Sequence, residues 1–562
     1  MTVLLLAAVC GRSDAQTPVT DLKAEARNGQ VFLTWKEAET PAGTTFNVYS
    51  SSKPIKSAKS SDLVGHHIER RSARDWWEDP ASFRKDEKPG EPVGFLIEDG
   101  GKRLDPSSGL FVDTVSKDSE GKGYYAVTFT GPDGKEDKKI APGENSLSKA
   151  VLRKVGDMSP IWQHDGKPPS PGAGKGKALS LSLHGKGGVV ANSEYLLFGD
   201  ETMGWRRGLP FKFSVQVSGD QVLIRPTDRV WIGRPGDSGA PATWTFWYGY
   251  SSKVYDAAQM EKGIATNYTE HRLLWIVKWV REHYQTDPNA SYVSGSSMGG
   301  CGSISFGLRH PEIFAALHAR VPIYSYTNPP SGSASRLVTL CWTGPITKEV
   351  KTNEGIPLLD RMNGAKLVTE ATGDLPYIFA TNGRKDASIP WENNPPFYRA
   401  CNEARQGCAF WWDDGIHPTA GKDAPEDVHQ WEAAFKRFRL DQSYPAFSNT
   451  SANKDPGDGD PTKGDIIGWI NRGMEWKDLE DKPNEYAITI TVGYPGIAYP
   501  VKTDMTLRRV QRFKTQPGET VTAQIGRDRP VAVKADRNGR ITIPGIAIPS
   551  GEGVRVTVRR GK

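Results

Sequence analysis

Apolar and polar positions alternate along the first quarter of the chain. Val31, Leu33 and Trp35 fall on one side of an extended segment, and Phe46 and Val48 begin a second. The run Gly123-Tyr124-Tyr125-Ala126-Val127 and the segment 145–152 continue the pattern, so residues 16–156 are expected to be all-β. Residues 52–115 are charged and irregular and read as an insertion within that unit. A Pro/Gly/Lys stretch at 166–177 then reads as a linker or loop, and the pattern changes. Short apolar strands at 179–183, 291–294 and 377–381 now alternate with helical segments. The clearest helix is 267–284, where Leu273, Val277, Val280 and Tyr284 share one face and Asn267 and Glu270 stand at capping-box spacing. Residues 157–442 are therefore expected to form an α/β domain with a mostly parallel sheet and flanking helices. From 443 to 562 alternating and β-branched runs return (487–492, 521–525, 541–546 and 554–558), with turn signals between them. They predict a C-terminal β-sandwich.

Length agrees with this division, because 562 residues exceed what one hydrophobic core supports. A 37% hydrophobic and 25% charged composition is that of a globular chain. The net charge of +6 is small for this size and is not focused into a basic stripe, which excludes a nucleic-acid partner from the expectations. At the start, the apolar run 3–9 followed by Ser13-Asp14-Ala15 resembles a signal peptide over residues 1–15 and implies a secreted or periplasmic protein. Cys10 offers a lipid anchor as the alternative, but Val9 stands where a small residue is wanted. No other segment has the apolar length of a transmembrane helix. Beyond the leader, Cys301, Cys341, Cys401 and Cys408 permit two disulfides, and of the three pairings Cys401–Cys408 with Cys301–Cys341 is the expected one. No CxxC or HExxH pattern occurs, so no metal site is expected. The acidic stretch 455–465 carries calcium-type ligands without an EF-hand pattern and is expected to be a solvated loop.

The chemistry concentrates in the α/β region. Gly295-Ser296-Ser297-Met298-Gly299 fits G-x-S-x-G, preceded by the strand 291–294 and followed by residues able to form a helix. A short pattern in a glycine-rich chain means little alone; the strand–turn–helix context gives it meaning. A serine hydroxyl needs a base within hydrogen-bond reach and an acid to orient that base. In chain order the candidates are Asp386, just past the strand 377–381, and His417, just past the apolar segment 408–412. His429 is the rival base, and Asp360 and Asp374 are rival acids. An oxyanion needs two donors: the backbone amide of Met298 and, from the segment Leu183-His184-Gly185-Lys186-Gly187-Gly188, that of Lys186, with Gly187 second. His184 reads as structural. Trp244, Trp247 and Trp391 stand near these motifs and are the expected cleft-lining aromatics that bind substrate.

Taken together, HGKGG, GSSMGG, NGRKDASIPW and DGIHP resemble the polyhydroxybutyrate depolymerase and feruloyl esterase-like branch of the α/β hydrolases. The resemblance covers about half of the chain. It implies an α/β-hydrolase fold and a secreted serine esterase, without metal or organic cofactor, acting on small esters or on ester groups of plant polysaccharide or polyester. Lys385 before Asp386, and the missing glycine pair before His417, depart from the pattern and leave substrate class open. The early Trp and the Tyr-rich late strand of residues 16–156 resemble a fibronectin type III domain. Two other readings stand beside the esterase. One is a prolyl oligopeptidase-like peptidase, against which the lack of propeller repeats counts. The other is an inactive extracellular polymer-binding protein.

Overall fold

The computed structural model describes residues 17–74, 93–163, 166–183, 194–198, 210–228, 230–232, 242–326, 332, 339–344 and 350–561. In the N-terminal part, Val19–Arg27 and Gln30–Glu37 pair as a hairpin turned at Asn28 and Gly29, both with positive φ. Gly109–Thr114 adds to this hairpin. A second sheet has Thr45–Ser51 between Asp62–Glu69 and Gly121–Thr130. The alternating residues bury as their spacing requires: Val31, Leu33 and Trp35 from one sheet meet Phe46, Val48, Tyr125 and Val127 from the other. Trp35 and Phe46 lie edge to face with centroids 5.6 Å apart. Part of the stretch expected as insertion is thus structural, because Asp62–Glu69 and Gly109–Thr114 belong to these two sheets.

The central sheet is formed by β1 (Ile161–Trp162), β2 (Ala178–Leu183), β3 (Glu194–Phe198), β4 (Pro210–Ser218), β5 (Gln221–Pro226), β6 (Ser291–Ser296), β7 (Ala316–Arg320), β8 (Tyr377–Gly383), β9 (Cys408–Asp413) and β10 (Gly468–Ile470). Their lateral order is β10-β9-β8-β7-β6-β2-β5-β4-β3-β1. From β9 to β5 every pair is parallel; β10, β4, β3 and β1 are added antiparallel. Central parallel strands are covered on both faces, which is why β8 is buried at every residue and reads as a run rather than an alternation. Helix α1 (Tyr268–Tyr284) buries Leu273, Ile276, Val277, Val280 and Tyr284, close to the face expected from the spacing. Its expected capping box is not made. Asn267 donates its side-chain amide to Glu270, and the Glu270 carboxylate is held by Arg361 at 2.7 and 2.9 Å. Helix α2 (Met298–Gly307) follows β6, and α3 (Asn394–Glu403) follows β8.

The C-terminal residues form two more sheets. Tyr444–Ser448, Val501–Arg508 and Thr542–Ile548 make one; Met474–Asp481, Glu485–Val492, Val554–Arg560, Thr520–Ile525 and Val531–Lys534 make the other. Ile488, Ile490, Met505, Ile543, Val556 and Val558 are buried between them. β10 comes from beyond residue 443 and completes the edge of the central sheet. Arg508 crosses back to Asp374 at 3.1 Å, and Arg472 pairs with Asp427 while lying over the rings of Trp469 and Tyr494. The expected disulfides are corrected: Cys301, Cys341, Cys401 and Cys408 are free and buried. The Cys301 sulfur accepts the Ile323 amide at 3.3 Å, and burial pushes that thiol up to about 11. Among the described residues no helix is long and apolar enough to cross a membrane.

Candidate active site

The three candidate triad residues arrive from the C-terminal ends of three different parallel strands. β6 ends at Ser296, α2 begins at Met298, and Ser297 stands between them with φ 57° and ψ −124°. A serine with positive φ is strained by about 1–3 kcal/mol and persists only where its surroundings hold it. Its amide donates to the carbonyl of Arg320 on β7 at 2.9 Å. The turn is too tight for larger neighbours. A Cβ on Gly295 would lie 2.4 Å from the Gly299 backbone and 2.6 Å from the Leu183 carbonyl, and one on Gly300 would lie 2.5 Å from the Arg320 carbonyl.

His417, on the loop after β9, brings Nε2 to 2.8 Å from the Ser297 hydroxyl. Its Nδ1 is 2.5 Å from Asp386 Oδ2. The other Asp386 oxygen accepts the amides of Ser388 and Ile389 at 2.8 and 2.9 Å, which fixes the plane of the carboxylate. The Asp386 side chain is fully buried, whereas His417 keeps 27% exposure, so the base meets solvent and the acid does not. The rivals fall elsewhere. His429 lies on the helix Glu426–Ala434, Asp360 pairs with Lys366, and Asp374 pairs with Arg508.

Met298 is the first residue of α2, where helix amides have no intrahelical acceptor and the helix dipole favours negative charge. Lys186, with His184 and Gly187, lies outside the described residues. The strand that leads to it, β2, ends with Leu183 opposite Gly295, beside the turn that carries Ser297.

The aromatic expectations are corrected. Trp244, Trp247 and Trp391 are 7%, 0% and 2% exposed and belong to the central core. Trp247 packs its ring on α2, where a Cβ at Gly302 would come within 2.4 Å of it, and its amide donates to buried Asp228. Trp391 donates its indole N–H to the Pro456 carbonyl at 3.1 Å and packs on Trp412. Proximity in sequence to a motif does not say which way a ring points, and burial of so much apolar surface stabilises each by a few kcal/mol.

Sequence reasoning missed the residues that support this arrangement. Arg320 donates to the Ala420 carbonyl at 2.7 Å and to that of Pro418 at 3.4 Å, gripping the turn just after His417. Asp413 accepts the amides of Gly415 and Gly421, shaping the same loop. Arg384 reaches into the acidic loop, where the carbonyls of Pro461, Lys463 and Asp465 each accept from it at 2.5 Å. Three backbone carbonyl oxygens of this loop thus surround a guanidinium. The loop carboxylates of Asp455, Asp458 and Asp460 accept amides of the loop itself. Among the described residues no group of three or more His, Cys, Asp or Glu is placed to hold a metal. An arginine ending a buried strand was the one available signal for Arg320; Arg384 carried none beyond its place in the Asp386 segment.

Residues 236–446 match the model of the family described as "Putative esterase". The central domain is that of an esterase. Ser297, Asp386 and His417 all fall within the matched segment of this esterase domain. Among solved structures, the chain is similar to an S-formylglutathione hydrolase from Agrobacterium tumefaciens, at 16% identity over 47% of this chain and 82% of that one, with a TM-score of 0.29. It is similar to a fluorophosphonate-binding serine hydrolase of Staphylococcus aureus at 14% identity, over 47% and 82% of the two chains, with a TM-score of 0.28. It is also similar to an acylaminoacyl peptidase of Pyrococcus horikoshii at 11% identity, over 75% and 71%, with a TM-score of 0.31. No curated protein matches the chain.

Proposed function

We propose that the protein hydrolyses carboxylic esters through an acyl-enzyme on Ser297. The observation that carries this reading is the unbroken line from Ser297 Oγ through His417 to Asp386, at 2.8 and 2.5 Å. His417 takes the hydroxyl proton as Ser297 attacks the ester carbonyl, and Asp386 holds the imidazole and stabilises its cation. The Met298 amide and that of Lys186 bind the oxyanion; losing one such donor typically costs about a hundred- to thousand-fold in rate. His417 then protonates the departing alcohol, and water, activated by the same imidazole, releases the acid and restores Ser297.

The four motifs favour ester groups on plant polysaccharide, feruloyl or acetyl, or an aliphatic polyester. Substrate contacts are not assigned to Trp244, Trp247 or Trp391, which are buried. The apolar segment 3–9 favours export, where such polymers are met.

The test is labelling with a fluorophosphonate, with mapping of the modified peptide, beside assays on p-nitrophenyl esters and a peptide anilide. The expected result is label on Ser297, ester turnover exceeding anilide turnover, and loss of both label and turnover in S297A. S297A that hydrolyses esters as fast as the parent would sink the mechanism. Faster anilide turnover would replace the esterase reading with a peptidase. Binding of insoluble polymer without turnover would replace it with a binding protein.

A further inference from the structure

Asp386 sits on a loop that is fastened at both ends to a segment distant in sequence. At its start, Arg384 anchors its backbone to the central sheet, donating its amide to the Asp413 carbonyl at 2.8 Å. Its side chain, buried, leaves the sheet and enters the loop 455–465, where it takes the carbonyls of Pro461, Lys463 and Asp465. At the far end, Trp391 donates its indole N–H to the Pro456 carbonyl of the same loop. Between these two fastenings lie Asp386 itself and the two amides, of Ser388 and Ile389, that orient its carboxylate. The neighbouring Trp412 donates its indole N–H to the Asp465 carbonyl at 2.8 Å. The loop cannot easily shift, because Gly457 and Gly464 both have positive φ and face one another. A Cβ on Gly457 would lie 2.5 Å from the Lys463 carbonyl, and one on Gly464 would lie 2.5 Å from the Gly457 amide.

We infer that the segment 455–465, which leads into the C-terminal β unit, is a backbone mould for the acid of the triad, and that Arg384 is the positioning residue through which it acts. This rests on the esterase reading. A single planar guanidinium spans three carbonyls of the loop, and in doing so fixes where the chain turns toward Asp386. Arg384 touches neither Ser297 nor His417. Its contribution is to the geometry of the Asp386–His417 contact, and errors of about 1 Å there cost on the order of a hundred-fold in rate. Substrate affinity does not depend on it.

The experiment compares the full-length parent with R384A, R384K and G457A, measuring kcat and KM on a p-nitrophenyl ester, with folding checked by thermal melting. For R384A a fall in kcat of ten-fold or more is expected, with KM within about two-fold, and methylguanidinium added at millimolar concentration should restore part of the loss. R384K keeps the charge without the planar fork and should fall between R384A and the parent. G457A, which pushes on the Lys463 carbonyl from an exposed loop, should lower kcat at constant KM. A folded R384A whose kcat stays within two-fold of the parent would overturn the inference. So would a loss that methylguanidinium leaves untouched while KM rises in step. If R384A does not fold, G457A decides, and unchanged kcat there overturns the inference as well. A parent that is labelled on Ser297 while R384A is unaffected sinks the inference alone; a parent that cannot be labelled sinks the esterase mechanism together with it.

Discussion

Ser297, His417 and Asp386 show how much single residues told in advance and how much they did not. Their candidacy followed from local grammar: a small-residue turn after a strand, then an acid and a base each just beyond a strand. The 2.5 and 2.8 Å contacts that join them depend on three strand ends converging, which no local window contains. D386N should preserve the fold and lower kcat about ten-thousand-fold, by analogy with the loss of the orienting acid in serine proteases, because the imidazole would be held in the wrong tautomer. A pre-steady-state assay on an activated ester reads this directly. Glu270 is a buried carboxylate of a different kind. Burial alone would raise its pKa, but the His310 imidazole 3.6 Å away and the Arg361 guanidinium overcome that and hold it at about 2. A carboxyl depressed from its ordinary value stabilises the fold above about pH 4.5, and that contribution is lost as pH falls through about 2; a shift of this size corresponds to roughly 3 kcal/mol. The melting temperature of E270Q should therefore lie below that of the parent at pH 6, and the gap should close as pH is lowered from 5 toward 2. A gap independent of pH would show that the ion pair is not its source.

At the level of strands and helices, Val31, Leu33 and Trp35 were legible because they enter one core together, although Gln30 and Phe32 on the other side of the strand are buried too; the face of α1 was legible from its spacing. The elbow was legible because Gly295 and Gly300 have no room for a side chain. The tryptophans were not, because a ring beside a motif can turn toward core or cleft with equal ease in one dimension. Nor were the arginines, whose acceptors are backbone carbonyls that any residue would present. Arg320 joins two elements of the site, accepting the Ser297 amide with its carbonyl and holding the turn after His417 with its guanidinium. R320M keeps the backbone bond and the aliphatic stem while removing the grip on Ala420. It should lower kcat roughly ten- to a hundred-fold, with a smaller change in KM. Equal values of kcat in R320M and the parent, measured on the same ester, would remove Arg320 from the account.

Across the whole molecule, sheets lie on both sides of the central one, and the expected cysteine pairing did not follow. Even cysteine counts and plausible export suggested bridges; Cys301, Cys341, Cys401 and Cys408 instead fill the interior as small apolar groups. Under native conditions these four thiols should resist a thiol-specific alkylating reagent, and all four should react once the chain is unfolded without reductant, as read by peptide mapping. A segment as short as Gly468–Ile470 carries no periodicity of its own, yet it pairs with β9 and closes one side of the central sheet. Without that three-residue strand, β9 would turn a row of unpaired N–H and C=O groups outward, next to the loop that bears His417. A chain released before residue 470 would already contain Ser297, Asp386 and His417, but its exposed strand would recruit a strand from another molecule. Loss of the C-terminal unit would then appear as self-association and precipitation rather than as a weaker soluble enzyme.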